Sequence, residues 1–191
     1  MLGIMSMPIV GAIRAVQHLP PPLPVITRIP EFNFIDQQAE AFGSEQLRGK
    51  VWVANFIFTR CPTVCPLSTQ KMFAVQHRAR NLGEAFHIVS FSVDPEYDTP
   101  QRLADYAHAH RVSPRMWSFL TGDREALTQL AVKGLKMSVT REGAGDLMSI
   151  GHDSHFVLVD GSGDVRGYYE SDEASLDRLM RDIGMLVNRG A

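Results

Sequence analysis

The chain has 191 residues, a net charge of -2, 45% apolar and 21% charged side chains, the make-up of one globular domain that buries roughly 70% of its surface on folding. Disorder, a fibrous repeat and a multi-span membrane protein are excluded, because no uncharged apolar run of about 18 residues occurs. Nineteen basic against 21 acidic side chains, with no basic block, argue against nucleic acid as a partner.

Residues 1–13 are apolar and uncharged up to Arg14. As a helix they reach about 20 Å against a hydrocarbon core of about 30 Å. Pro8 interrupts them and the basic start of a secretory signal is missing, so a degenerate or truncated membrane anchor and a plain tail both stand as readings. Pro20-Pro21-Pro22-Leu23-Pro24 reads as a stiff linker. Residues 1–29 are therefore expected as tail and Pro-rich linker, and residues 30–191 as the folded domain.

Val51 to Phe58 is nearly continuous apolar and rich in β-branched and aromatic residues, the pattern of a strand buried on both faces. Pro66 suits a first helical turn, and Met72, Val75, Ala79 and Leu82 repeat at helical spacing until Gly83. His87 to Asp94 reads as a second strand, and Thr99-Pro100 as cap and first-turn proline of a helix reaching about His110. Strand, helix, strand in that order implies a parallel pair. Asp123 is placed to cap a short helix ending at Gly134, and Ser138 to Gly151 reads as a Gly-rich polar loop. His155 to Val159, the turn Asp160-Gly161-Ser162-Gly163 and Val165 to Tyr169 form a hairpin signal. Ser171 opens a last helix with Leu176, Leu179, Ile183 and Leu186 on its apolar stripe. The order predicts an α/β fold, a central mixed β-sheet flanked by helices.

The chain has two cysteines, Cys61 and Cys65, placed where the first buried strand hands over to a helix N-terminus. Unpaired N–H groups and the helix dipole there favour thiolate, which raises nucleophilicity and metal affinity. Residues four apart at a helix start have Cβ atoms about 5–6 Å apart on one face, close enough for two sulfurs to share one ion. A disulfide wants about 3.8 Å, so the loop must tighten to oxidise. An inert disulfide and two unrelated buried thiols are the bland alternatives to a functional redox or metal pair.

Zinc fits poorly, since structural sites take four ligands; His152 and His155 are spaced too closely for the usual pattern and face opposite ways on a strand. Soft thiolates select copper(I), with imidazole an acceptable third donor. Of the histidines, His77, His108 and His110 fall in predicted helices, and His18 in the tail. His87, opening a strand, and His152, in the loop before one, remain as third-donor candidates on spacing alone.

Three segments, Phe58-Thr59-Arg60-Cys61-Pro62-Thr63-Val64-Cys65-Pro66 with Lys71-Met72, then Ser92-Val93-Asp94-Pro95-Glu96-Tyr97-Asp98-Thr99-Pro100, then Trp117-Ser118-Phe119-Leu120-Thr121-Gly122, are similar to the Sco/SenC family of copper-binding assembly factors for cytochrome c oxidase. The resemblance spans roughly residues 30–187 and implies a thioredoxin-like fold. It implies copper held by Cys61, Cys65 and His152. Asp153 separates His152 from Ser154, where the family commonly has the histidine directly before Ser or Thr, so His155 is kept as an alternative ligand. Asp94 matches an acidic residue the family keeps near its metal, with a plain strand-ending Asp-Pro turn as the bland reading.

By this resemblance the expected function is a copper metallochaperone for the binuclear copper centre of the oxidase, carrying copper(I), with copper(II) left open. Expected partners are the copper-bearing oxidase subunit, a copper donor protein and a thiol reductant, on the extracytoplasmic side of a membrane, the periplasmic face in a bacterium. The alternative is a thiol-disulfide oxidoreductase acting on the oxidase cysteines. Against that as sole role, three residues rather than two separate the cysteines, and no proline follows Pro114. A peroxiredoxin-like peroxidase is the minor alternative, with one residue rather than two between Thr59 and Cys61. No enzymatic activity beyond exchange at the cysteine pair is expected.

Overall fold

The computed structural model describes residues 21–60, 64–137, 139–141, 148–150 and 156–190. Its strands and helices in chain order are β1 (Thr27–Arg28), β2 (Asn33–Asp36), β3 (Ala41–Gly43), α1 (Ser44–Leu47), β4 (Val51–Ile57), α2 (Val64–Ala79), β5 (Phe86–Ser92), α3 (Pro100–Ala109), β6 (Trp117–Thr121), α4 (Arg124–Gln129), β7 (Val139–Arg141), β8 (Met148–Ile150), β9 (Phe156–Val159), β10 (Asp164–Tyr169) and α5 (Glu173–Asn188). Eight strands form one sheet in the order β1-β10-β9-β4-β5-β6-β2-β3. β4, β5 and β6 are mutually parallel, and the flanking strands join them antiparallel. The expected mixed sheet with a parallel centre is thus present. β1 is built from residues within the stretch read as linker, and Ile26 N–H already donates to Val165 O at 2.9 Å.

The alternation of side chains along the central strands builds two cores. On one face Val51, Val53, Ile57, Phe86, Ile88, Trp117 and Phe119 pack under α2, α3 and α5, whose Met72, Val75, Leu103, Leu176, Leu179, Ile183 and Leu186 are buried. The expected stripe of the last helix is all inside. On the other face Trp52, Ala54, Val89, Phe91 and Leu120 meet Phe34, Leu127, Leu130 and Leu135. Every residue of β5 is buried, as a strand covered on both faces requires.

Local chemistry sets the helix ends. Thr99 caps α3 by accepting from Arg102 N–H with Pro100 in the first turn, and Asp123 caps α4 by accepting from Ala126 N–H. The last helix differs from expectation by one residue. Asp172, not Ser171, is its cap, accepting from Ser175 N–H, because a carboxylate also favours the positive helix start. The helix after the cysteines ends at Ala79, and a 3₁₀ turn over Arg80–Ala85 finishes it, with Gly83 at φ 56°, a conformation that glycine enters without strain. The stretch read as a polar loop holds the β7–β8 antiparallel pair, a separate two-stranded sheet. Its strands of three residues are too short to show an alternation in sequence. Among the described residues no helix is long and apolar enough to cross a membrane.

Candidate metal and redox site

β4 and β5 run parallel with Ile57 opposite Ser92 at their shared C-terminal ends, and Val93 N–H donates to Ile57 O at 2.9 Å, adding one more rung. Two loops therefore leave the sheet side by side at the edge where open α/β sheets place their sites. The first carries Thr59 and Arg60 and leads toward α2; the second carries residues 94–98. Cys65 is the second residue of α2, so the handover from strand to helix start read from the sequence is present. Cys61, His152 and His155 lie outside the described residues.

The second loop folds back on itself and grips the first. Tyr97 and Asp98 N–H groups both donate to Asp94 O, at 3.0 and 2.8 Å. Asp94 is 2% exposed. Its Oδ2 accepts from Arg60 Nε at 2.6 Å, and its own N–H donates to Ser92 Oγ at 3.0 Å. The Arg60 side chain is 46% exposed, and its guanidinium lies 4.7 Å from the Tyr97 ring centroid, with Arg102 over the same ring at 3.8 Å. Arg102 also donates to Tyr97 O at 2.8 Å, and Arg124 pairs with Glu96 at 3.1 Å. Asp98, fully buried, accepts from Thr59 N–H and Thr59 Oγ1 and from Ser92 Oγ.

Asp94 thus stands at the edge that carries the cysteines, bound to the residue directly before Cys61. Asp98, Arg60 and Tyr97 are contributors that sequence reasoning passed over. An Asp two residues before a proline reads as a turn, and only the close approach of two loops distant in sequence reveals its partners.

The histidines separate clearly. His87 pairs in register with Trp52, near the start of β4, so five residues at about 3.3 Å each put it roughly 16 Å from the cysteine end. It is buried, shares a 3.0 Å hydrogen bond between Nε2 and Ser118 Oγ, and stacks on Phe42 with ring centroids 5.5 Å apart. Burial, helped by the Lys50 charge, pushes its pKa down to about 4. It is a neutral core histidine and is removed from the third-donor candidates. His77 and His108 are exposed on their helices, as expected, whereas His110 follows the end of α3 and packs against Tyr106 at 4.3 Å; partial burial lowers its pKa.

Among the described residues no three His, Cys, Asp or Glu side chains converge to hold a metal ion. A metal centre at this edge therefore needs a donor from outside them, which is where Cys61, His152 and His155 lie. Two thiolates and one imidazole form a soft, three-donor set that suits copper(I) and falls short of the four ligands of structural zinc.

The SCO1/SenC family model matches residues 25–188. The "SCO1 protein homolog" of Bacillus subtilis is 33% identical over 162 residues, covering 84% of this chain and 83% of its own length. A protein of Stutzerimonas stutzeri named "Putative copper-binding protein" is 30% identical over 168 residues, 87% and 80% of the two chains. The solved structure of BsSco, described as revealing a disulfide switch in a member of the Sco family of cytochrome c oxidase assembly proteins, superposes with a TM-score of 0.76 at 32% identity, covering 87% of this chain and 98% of that one. The mixed sheet flanked by helices is the thioredoxin-like α/β fold of these neighbours.

Proposed function

The chain belongs to the SCO1/SenC family, and from that premise we propose that it is a copper metallochaperone that assists assembly of the binuclear copper centre of cytochrome c oxidase. Copper is its cargo. Cys61, Cys65 and His152 supply the donors, with His155 as the alternative third ligand, and Asp94 holds the loop beside them through Arg60. The observation that carries this reading is the pairing of an intact Cys-x-x-x-Cys run with the C-terminal edge of two parallel central strands, β5 buried throughout and β4 at all but Phe56. A rigid sheet there delivers the first turn of α2, with Cys65, to one place. Relatives at similar identity are named for copper binding and for oxidase assembly.

Thiolates bind copper(I) only when reduced and deprotonated. Oxidation, which sends two electrons and two protons to an acceptor and joins the sulfurs, removes two of three donors, so thiol state gates the cargo. The disulfide switch ascribed to BsSco favours the same pair as a thiol-disulfide exchanger toward the oxidase cysteines, the second reading. We place both roles on the extracytoplasmic side of a membrane, with a thiol reductant to restore the pair and, for the chaperone role, a copper donor.

Anaerobic copper(I) titration of the reduced protein against a competing chelator tests the proposal on wild type, Cys61→Ser, Cys65→Ser, His152→Ala and His155→Ala. One tightly held copper, weakened by the first three substitutions and not the fourth, is the expected result. Weak binding indifferent to His152 would overturn it and leave thiol exchange as the function.

A further inference from the structure

A cleft of about 410 Å³ opens at the end of the sheet remote from the C-terminal edge of β4 and β5, between the last turns of α2 with the 3₁₀ turn that follows and the connection from α3 to β6. That volume falls in the range of small-molecule sites, roughly 300–1,000 Å³. Hydrogen bonds tie its walls in place. Ser113 O accepts from the N–H groups of Met116 and Trp117, both at 3.0 Å, and Ile88 N–H in β5 donates to Met116 O at 2.8 Å. Gln76 Oε1, from α2, accepts from Ser113 N–H at 2.8 Å and so fastens one wall to the other. Phe73 and Met116, both half-buried against the first core, supply an apolar part of the lining.

The polar part is cationic. Arg80 and Arg115 both line the cleft from exposed positions, and among the described residues no carboxylate pairs with either. Arg80 Nη1 donates to His77 O at 2.8 Å, which leaves the remaining N–H groups of the guanidinium for another acceptor. Glu84, the one carboxylate of the lining, is drawn to Lys50 Nζ at 3.5 Å. Gln76 is 8% exposed; with its Oε1 taken by Ser113, its Nε2 donor has no acceptor among the described residues. A buried N–H without an acceptor is costly, and an oxygen atom seated in the cleft would supply one. The whole chain carries a net charge of -2, so the pairing of two unneutralised guanidiniums here is a local feature.

We infer that this cleft binds a small organic oxyanion, a carboxylate or phosphate carried on an apolar group. The guanidiniums of Arg80 and Arg115 take the charge, since their planar forks match the oxygens of such groups. Gln76 Nε2 donates to the same oxygens, and the apolar group lies against Phe73 and Met116. A metal cation is repelled by the same charges, and a bare inorganic ion leaves the apolar lining unfilled. The site stands apart from the copper reading and at the other end of the sheet, so its occupant and copper can be held together.

The test uses the full reduced chain without copper and measures binding by isothermal titration calorimetry. Phenyl phosphate and phenylacetate are the organic oxyanions, with inorganic phosphate and neutral benzyl alcohol as comparisons. At least one of the two organic oxyanions should bind one per chain and more tightly than both comparisons, and which one is tighter names the oxyanion. Arg80→Gln and Arg115→Gln are each expected to weaken it about tenfold, the loss of one hydrogen bond to a charged group. Gln76→Glu keeps an oxygen for Ser113 N–H, replaces the donor by a negative charge and should abolish binding. Arg111→Gln, an exposed arginine of the same connection outside the lining, should change nothing. No binding of either organic oxyanion, inorganic phosphate bound as tightly as they are (an adventitious ion only), or an equal loss in Arg111→Gln overturns the inference. If Gln76→Glu does not fold, Arg115→Gln at its exposed position carries the test.

Discussion

Acidification should unfold this protein partly through one histidine remote from the cysteines. His87 is 5% exposed and neutral between Phe42 and Ser118, with its pKa pushed from 6.5 down to about 4. The unfolded chain takes up its proton near 6.5 and the native chain near 4, so between those values the unfolded state binds more protons. Stability is therefore complete above pH 6.5, falls as pH drops through this window, and levels off for this group below 4. From pH 7 to 4.5 the loss is about 2–3 kcal/mol, with a mid-window slope approaching about 1.4 kcal/mol per pH unit. The assay is urea unfolding at pH steps from 7.5 to 4.5 for wild type and His87→Leu. Carboxylates titrating near the lower end affect both proteins alike, and Ser118 left without its partner costs the variant a constant amount. The difference between the two curves thus isolates the histidine. Parallel curves across the window would refute the argument that burial holds this ring neutral.

Gly43→Ala should open the β2–β3 edge, because a Cβ there would sit 2.1 Å from Phe32 O and 2.9 Å from Asn33 Cα, both backbone atoms; a loss of about 3 kcal/mol or more in urea unfolding is expected. Ile183→Ala, at a fully buried position under the sheet, should cost about 2–5 kcal/mol by the same assay. Asp123→Ala removes the acceptor for Ala126 N–H and should lower stability by about 1 kcal/mol, visible as a modest fall in Tm.

What could be read in advance followed from how strongly each segment constrains its neighbours. β4 and β5 were legible because strands covered on both faces need an almost unbroken apolar run, and α5 because one helix face had to supply Leu176, Leu179, Ile183 and Leu186. β1, β2 and β3 gave no such signal: at two to four residues they are too short to show a pattern, and β1 and β2 are fixed in the sheet by partners far away in sequence, such as Val165 and Thr121. The end of the last helix start shifted by one because Ser171 and Asp172 are both good caps, and only hydrogen-bond geometry distinguishes them. At the site, Asp94 was recognisable from its motif. Asp98 was not, since its donors Thr59 and Ser92 come from two other segments. His87 illustrates the converse: its spacing left it open as a ligand, and strand direction alone places it at the wrong end of the sheet.

The in-register ending of β4 and β5 divides the molecule into parts that can change independently. Everything up to Ile57 and Ser92 is packing, whereas the loops beyond contribute few side chains to either core. Substitutions at the exposed Arg60 and Glu96 can thus retune charge and hydrogen bonding while the hydrophobic interior stays as it is. A lineage built on such a sheet can drift between holding a metal and exchanging a disulfide through a handful of loop changes, and a protein engineer can graft new donors at the same rim with the scaffold left untouched.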